Sequence, residues 1–251
     1  MTSSGQVVPA FVRLAGHPLR WRLLTELAGT DLRVRELVAL LDQPQNLVSY
    51  HLRLLRDAGL VRASRSSFDG RDTYYHLDLA QCGRALATAG AALHPALRAD
   101  PASPDLPAAP VAVLFVCTGN SARSPIAEAL LRHHTNGQVA TSSAGTVPKP
   151  GLHPHAVRVL RERYRIDLAG QHPRHLDRLT GRFDYLITLC DKARETCSAF
   201  GDEPRRVHWS VPDPAAGEAG YQNFVATAAD IDTRVRHLLP VLATDPKEIR
   251  P

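Results

Sequence analysis

Apolar positions recur at helical spacing through the first hundred residues and in short strand-like runs beyond them. Residues 18–28, opened by Pro18, and residues 34–41 predict two helices. Asp42-Gln43-Pro44 breaks the chain. A further helix is expected from about 44 to 58, with Val48, Leu52 and Leu55 on one face and Gln45, Asn46, Ser49, Tyr50 and Arg53 on another. Gly59 closes that helix, and 60–77 reads as a β-hairpin with Asp69-Gly70 at its tip. An alanine-rich helix is expected from 78 to about 97. Residues 99–110 then hold four prolines and no apolar period, the composition of a semi-stiff linker.

Beyond the linker, 111–116 is a continuous apolar run of the kind buried on both faces of a parallel sheet. Further strands are expected at 139–145, 183–189 and 206–210, with covering helices at 124–132, 154–164 and 221–239. The pattern gives two domains of ordinary size: 1–98, a mainly α winged helix-turn-helix with a hairpin wing, and 111–251, a doubly wound parallel α/β sheet, joined by 99–110.

Charge separates the halves. Residues 1–98 carry twelve arginines and no lysine against eight acidic residues, while the rest carries eighteen basic against seventeen acidic. The basic excess therefore sits on the helix-turn-helix half, as double-stranded DNA requires. Gln45, Asn46, Ser49, Tyr50 and Arg53 offer donors and acceptors suited to base edges. Arg62, Arg65 and Arg71 on the wing are expected to face phosphates, with Arg53 and Arg56 on the helix. No signal peptide and no apolar run of membrane-spanning length stands in the sequence, so a cytoplasmic protein without a membrane partner is expected. The twelve histidines show no metal-ligand spacing, and no metal or bound cofactor is expected.

The most distinctive stretch runs Cys117-Thr118-Gly119-Asn120-Ser121-Ala122-Arg123-Ser124 between a buried strand and a helix carrying Pro125 in its first turn, with Ser124 placed to cap it. Successive N–H groups of such a loop, together with the helix dipole, attract an oxyanion, and the planar fork of Arg123 can clamp two of its oxygens. Gly119 and Asn120 tolerate left-handed backbone values. The same positive field favours the thiolate of Cys117, the nucleophilic form. Cys190 follows the apolar run 183–189, and Cys197 stands seven residues on. Cysteines so placed suit catalytic thiols in a reducing compartment better than a secreted disulfide framework.

Residues 113–125 resemble the signature of low-molecular-weight protein tyrosine phosphatases and their relatives, the arsenate reductases. Asp213, in Trp-Ser-Val-Pro-Asp-Pro, resembles the family's general-acid loop. For the reductases the resemblance implies a relay: Cys117 attacks arsenate, Cys190 attacks Cys117 and releases arsenite, and Cys197 takes over the disulfide for an external thiol reductant, thioredoxin or a low-molecular-weight thiol. A helical 190–197 would span about 10 Å, whereas a disulfide needs Cα atoms within roughly 7 Å. The bridge therefore implies a segment that unwinds. One feature pulls toward the phosphatases, one pulls away, and one departs from both groups. Ala122 replaces a cysteine common to both groups, Pro125 is more typical of phosphatases, and Ala215-Ala216 replaces the paired tyrosines many of them carry. Reductase leads. A phosphatase acting on arsenate's analogue, phosphate, as an ester, and a non-catalytic oxyanion or redox sensor, are the alternatives.

Residues 46–61 resemble the ArsR/SmtB repressors, dimeric winged-helix proteins that release DNA on binding a metal or metalloid. The resemblance implies a homodimer formed through the N-terminal domain and a role in arsenical resistance. Where arsenic-sensing members carry a cysteine pair, this chain has Arg33-Val34-Arg35. Arginine cannot bind As(III), so that sensor is absent.

Overall fold

A computed structural model describes residues 8–94, 97, 111–196, 204–217 and 220–243. The linker expected at 99–110 and Cys197 lie outside these residues. The chain divides into two compact units.

The first unit begins with α1 (Ala10–Ala15), α2 (Pro18–Gly29) and a two-residue strand β1 (Leu32–Arg33). His17 caps α2, its Nδ1 accepting from Leu19 N at 3.2 Å. Helix α3 (Val34–Leu41) starts where Glu36 accepts from Arg33 N at 2.8 Å and ends at Asp42, which takes the left-handed conformation. Helix α4 (Gln45–Asp57) buries Val48, His51, Leu52 and Leu55 against α2 and α3. Strands β2 (Val61–Arg65) and β3 (Thr73–Leu77) form the wing, with β1 added to the outer edge of β3. Helix α5 (Leu79–Leu93) is capped by Asp78, which accepts from Gln81 N at 2.9 Å.

The wing is a hairpin that carries Asp69-Gly70 in its connection, but the connection is long. Residues 66–72 join the wing strands, so Asp69-Gly70 does not form a two-residue hairpin turn. Gly70 lacks the positive φ such a turn demands. The arginines at the absent sensor position have a structural use instead: Arg33 Nη1 and Arg35 Nη2 both reach Asp72 Oδ2, at 3.1 and 3.0 Å, tying the wing to the start of α3.

The second unit is a four-stranded parallel sheet in the order β5-β4-β6-β7. It comprises β4 (Ala112–Cys117), β5 (Ala140–Gly145), β6 (Tyr185–Thr188) and β7 (Arg205–His208). Its helices are α6 (Arg123–His134), α7 (Pro154–Val159, continuing as a π turn over Leu160–Tyr164), α8 (Asp191–Thr196) and α9 (Tyr221–Ala243). Strand β4 is buried from Val113 to Cys117, as its unbroken apolar run requires, and α6 packs on β4, β5 and α9. Strand order reverses at β4: β5 lies on one side and β6, reached by a crossover, on the other. Ligands sit at the carboxyl ends of strands at such a switch point. Val116 pairs with Thr188, so the residues after β4 and those after β6 emerge side by side. No helix among the described residues is long and apolar enough to cross a membrane.

Candidate active site and DNA-binding face

The loop after β4 is held by its carbonyls. Those of Cys117, Thr118, Gly119 and Ser121 accept from Thr146 N, Val147 N, Lys149 N and His153 N at 3.2, 2.9, 2.9 and 2.8 Å. A trans peptide points its N–H away from its C=O, so fastening the carbonyls to segment 146–153 turns the loop's N–H groups inward. Asn120 N donates to Cys117 Sγ at 3.3 Å. Two residues make the close approach feasible. Asn120 adopts φ 44°, and Gly145 lies so near the loop that a Cβ there would stand 2.6 Å from Thr118 O.

Asn120 spends its whole amide on the fold. Its Nδ2 donates to Ser124 Oγ and Ser143 Oγ, both at 2.9 Å, and its Oδ1 accepts from Arg174 N at 2.7 Å. Ser143 donates its hydroxyl to Glu128 Oε2 at 2.6 Å, and the buried Glu128 is also held by Arg174, at 3.0 Å, and by Arg132. An ionised carboxylate only accepts, which fixes the direction of the chain. Ser143 donates to Glu128 and accepts from Asn120. Ser124 accepts from Asn120, leaving its own hydrogen for Cys117 Sγ at 3.0 Å, nearer than its other acceptor, Ala144 O, at 3.4 Å. A hydroxyl and a backbone N–H thus both converge on the Cys117 sulfur.

Ser124 is therefore not the helix cap. Helix α6 begins at Arg123 with Ala122 at the cap position, and Ser124 is drawn inward by the sulfur and the amide. Arg123 is buried, its Nη1 donating to Val211 O at 3.1 Å and its Nη2 paired with Asp213 Oδ2 at 3.2 Å. The Asp213 side chain is 44% exposed, open to the cavity it lines with Cys117 and Arg123.

Cys190 reaches the same place from β6. It is buried, its sulfur lying 3.3 Å from Thr118 Oγ1 and accepting from Ala193 N at 3.4 Å. Burial pushes the Cys190 thiol up, against the opposing pull of Arg123 and with the help of nearby Cys117. No disulfide joins the described cysteines Cys82, Cys117 and Cys190. The next residue, Asp191, is buried and anchored, its Oδ1 accepting from Ser210 Oγ at 2.7 Å and meeting His208 Nε2 at 3.1 Å. Asp191 thereby pins the start of α8, and α8 is helical through Thr196.

The structure thus gathers Cys117, Thr118, Gly119, Ser121, Ala122, Arg123, Cys190 and Asp213 at one cavity, with Asn120 and Ser124 buried behind the Cys117 sulfur, and Cys197 lies outside the described residues. Sequence reasoning missed Glu128, Ser143, Arg174, Asp191 and His208. The one signal for Glu128 is a single carboxylate inside the apolar run of α6.

On the first unit, Gln45, Asn46, Ser49, Tyr50 and Arg53 are all exposed on α4, opposite its buried stripe, and the Arg53 guanidinium lies over the Tyr50 ring at 5.7 Å. Arg65 and Arg71 are exposed on the hairpin. Arg62 is exposed as well and pairs with Asp78 Oδ2, the cap carboxylate of α5, at 2.7 Å.

Residues 112–248 match the family model described as low molecular weight phosphotyrosine protein phosphatase, and residues 17–63 match that of the bacterial regulatory protein, arsR family. Through its second unit the chain belongs to the low molecular weight phosphotyrosine protein phosphatase family, with an arsR-family helix-turn-helix ahead of it. An arsenate reductase of Bacillus cereus (strain Q1) is 32% identical over 125 residues, covering 49% of this chain and 90% of the relative. An arsenate reductase of Shouchella clausii (strain KSM-K16) is 36% identical over 108 residues, covering 42% and 76%. Among solved structures, an arsenate reductase in the phosphate binding state is 25% identical with a TM-score of 0.44, covering 53% of this chain and 98% of its own.

Proposed function

We propose that the second unit reduces arsenate to arsenite by a thiol relay and that the first unit binds double-stranded DNA as a transcriptional regulator of arsenical resistance. The observation that carries the reductase reading is the second thiol. Ester hydrolysis uses one sulfur, whereas taking As(V) to As(III) needs two electrons, and Cys190 stands beside Thr118 of the loop that begins at Cys117. The names of the relatives support the same reading.

In this reading the Cys117 thiolate attacks arsenic, an oxygen leaves as water with a proton from Asp213, and a Cys117–arsenic bond forms. Arg123 and the loop N–H groups hold the remaining oxygens. Cys190, losing its proton, attacks Cys117 Sγ. The sulfur–arsenic bond breaks, its electron pair goes to arsenic, and arsenite departs, leaving a Cys117–Cys190 disulfide. Cys197 then attacks Cys190, freeing Cys117, and an external thiol, thioredoxin-like or of low molecular weight, reduces the Cys190–Cys197 bridge.

Arsenite production with thioredoxin supplied, compared between the wild type and Cys117→Ser, Cys190→Ser and Cys197→Ser, tests the relay. Loss of turnover in all three is expected. Turnover that survives in Cys190→Ser would show that an external thiol serves in its place. Asp213 paired with Arg123 at the cavity also suits a general acid toward an ester oxygen. Hydrolysis of p-nitrophenyl phosphate, without arsenite formation, would make the unit a phosphatase.

For the first unit the exposed face of α4 supports DNA binding, and the exposed Val12 of α1 with Leu86 and Leu93 of α5 supports a homodimer through that unit. A DNA-bound protein with thiol chemistry belongs in the cytoplasm. The working division remains 1–98, a linker at 99–110, and 111–251.

A further inference from the structure

Lysine is scarce in this chain. Of thirty basic side chains only Lys149, Lys192 and Lys247 are lysines, yet Lys149 and Lys192 both line the cavity over Cys117. Lys149 is built into the oxyanion loop in two ways. Its backbone N–H donates to Gly119 O at 2.9 Å. Its stem lies across Gly119: a Cβ added there would meet Lys149 Cγ at 3.1 Å and Cε at 3.8 Å. The missing side chain of Gly119 makes room for the lysine. Pro148 and Pro150 on either side restrict the backbone that carries it. Lys149 is exposed, and among the described residues no carboxylate or carbonyl engages its ammonium group, whereas Arg123 at the base of the cavity is already committed to Val211 and Asp213.

We propose that Lys149 is a specificity-determining residue for an inorganic tetrahedral oxyanion, meeting it at the rim of the cavity and sharing its charge with Arg123. This rests on the oxyanion-reductase reading of the site and adds to it a division of labour. Arg123, rigid and forked, fixes the anion for reaction. Lys149, a compact charge on a flexible stem, follows the anion in and releases the product. Neutral arsenite carries no charge for the ammonium to hold, so the same residue favours exchange of product for substrate.

The test measures arsenite formation and inorganic phosphate binding in the full chain for the wild type, Lys149→Gln and Lys149→Arg, at low and high salt. At low salt, Lys149→Gln is expected to raise KM for arsenate about fivefold, leave kcat within about twofold, and weaken phosphate binding by the same factor in calorimetry. Lys149→Arg is expected to restore most of it, and the salt dependence of kcat/KM is expected to flatten in Lys149→Gln alone. Unchanged KM and phosphate affinity in Lys149→Gln would overturn the proposal, as would a loss confined to kcat. A wild type that binds phosphate through Lys149 but forms no arsenite would defeat the reductase reading and leave the anion-capture role standing.

Discussion

At the residue scale, the reactivity of Cys117 is set by which group donates to it. The carboxylate of Glu128 forces Ser143 to donate outward, which leaves Asn120 to donate to Ser124 and Ser124 to donate to the sulfur. Ser124→Ala removes the last link, and iodoacetamide alkylation of Cys117 at neutral pH is expected to slow about tenfold, since a hydrogen bond to a charged group contributes about 1.5–3 kcal/mol. An unchanged rate would mean that the backbone N–H of Asn120 suffices. Cys190 differs because burial holds it as the neutral thiol. Its thiolate fraction grows as pH rises toward its elevated pKa, so disulfide formation with Cys117 after a single turnover is expected to accelerate steadily across the neutral to mildly alkaline range. A rate that levels off below neutrality in rapid-quench measurements would contradict that assignment. Cys117 and Arg123 were legible as residues because they stand in one short distinctive run, and Asp213 only through its resemblance to a family loop, since Asp-Pro alone is an ordinary turn dipeptide. The Glu128, Ser143 and Arg174 support was not, because it joins side chains from α6, β5 and the segment before the Leu176–Arg178 turn, and no local pattern marks such a meeting.

At the element scale, the strand-loop-helix unit was legible because the apolar run of β4 and the turn residues after it point the same way. Ser124 invites two readings, helix cap and donor to the sulfur, because both uses produce the same sequence; the structure places it at the sulfur and Ala122 at the cap. The wing was legible as a hairpin, but its connection was not, since Asp-Gly occurs equally well inside a longer loop. Helix α8 carries the sharpest consequence. It is helical from Asp191 to Thr196, and Asp191 is anchored by His208 and Ser210, so a Cys190–Cys197 bridge requires that helix to unwind. Amide exchange across 192–196 is expected to be slow in the reduced protein and fast in the oxidised one. Equal protection in both states would exclude the bridge.

At the scale of the whole molecule, two units with unlike surfaces share one chain: an arginine-rich helix-turn-helix and a nearly charge-balanced α/β domain. If the exposed face of α4 and the hairpin arginines Arg65 and Arg71 meet DNA as proposed, binding is expected to be strongly salt dependent. Arg53→Ala is expected to lower the slope of log K against log salt by about one if Arg53 meets a phosphate, with an unchanged slope indicating a base contact or none. Arg62, bound to Asp78, is expected to contribute less than Arg53 to that slope. Arg33 and Arg35, held by Asp72, stand where a thiol pair would be needed, so the proposed chemistry on arsenic falls to the second unit. The most direct measurement of that chemistry is a single turnover without external reductant: reduced protein mixed with excess arsenate, arsenite counted, and the disulfide mapped by mass spectrometry. The account predicts one arsenite per chain and a disulfide that includes Cys190, with neither formed in Cys117→Ser. Arsenite formed with Cys190 left as a free thiol, or no arsenite at all, would contradict it.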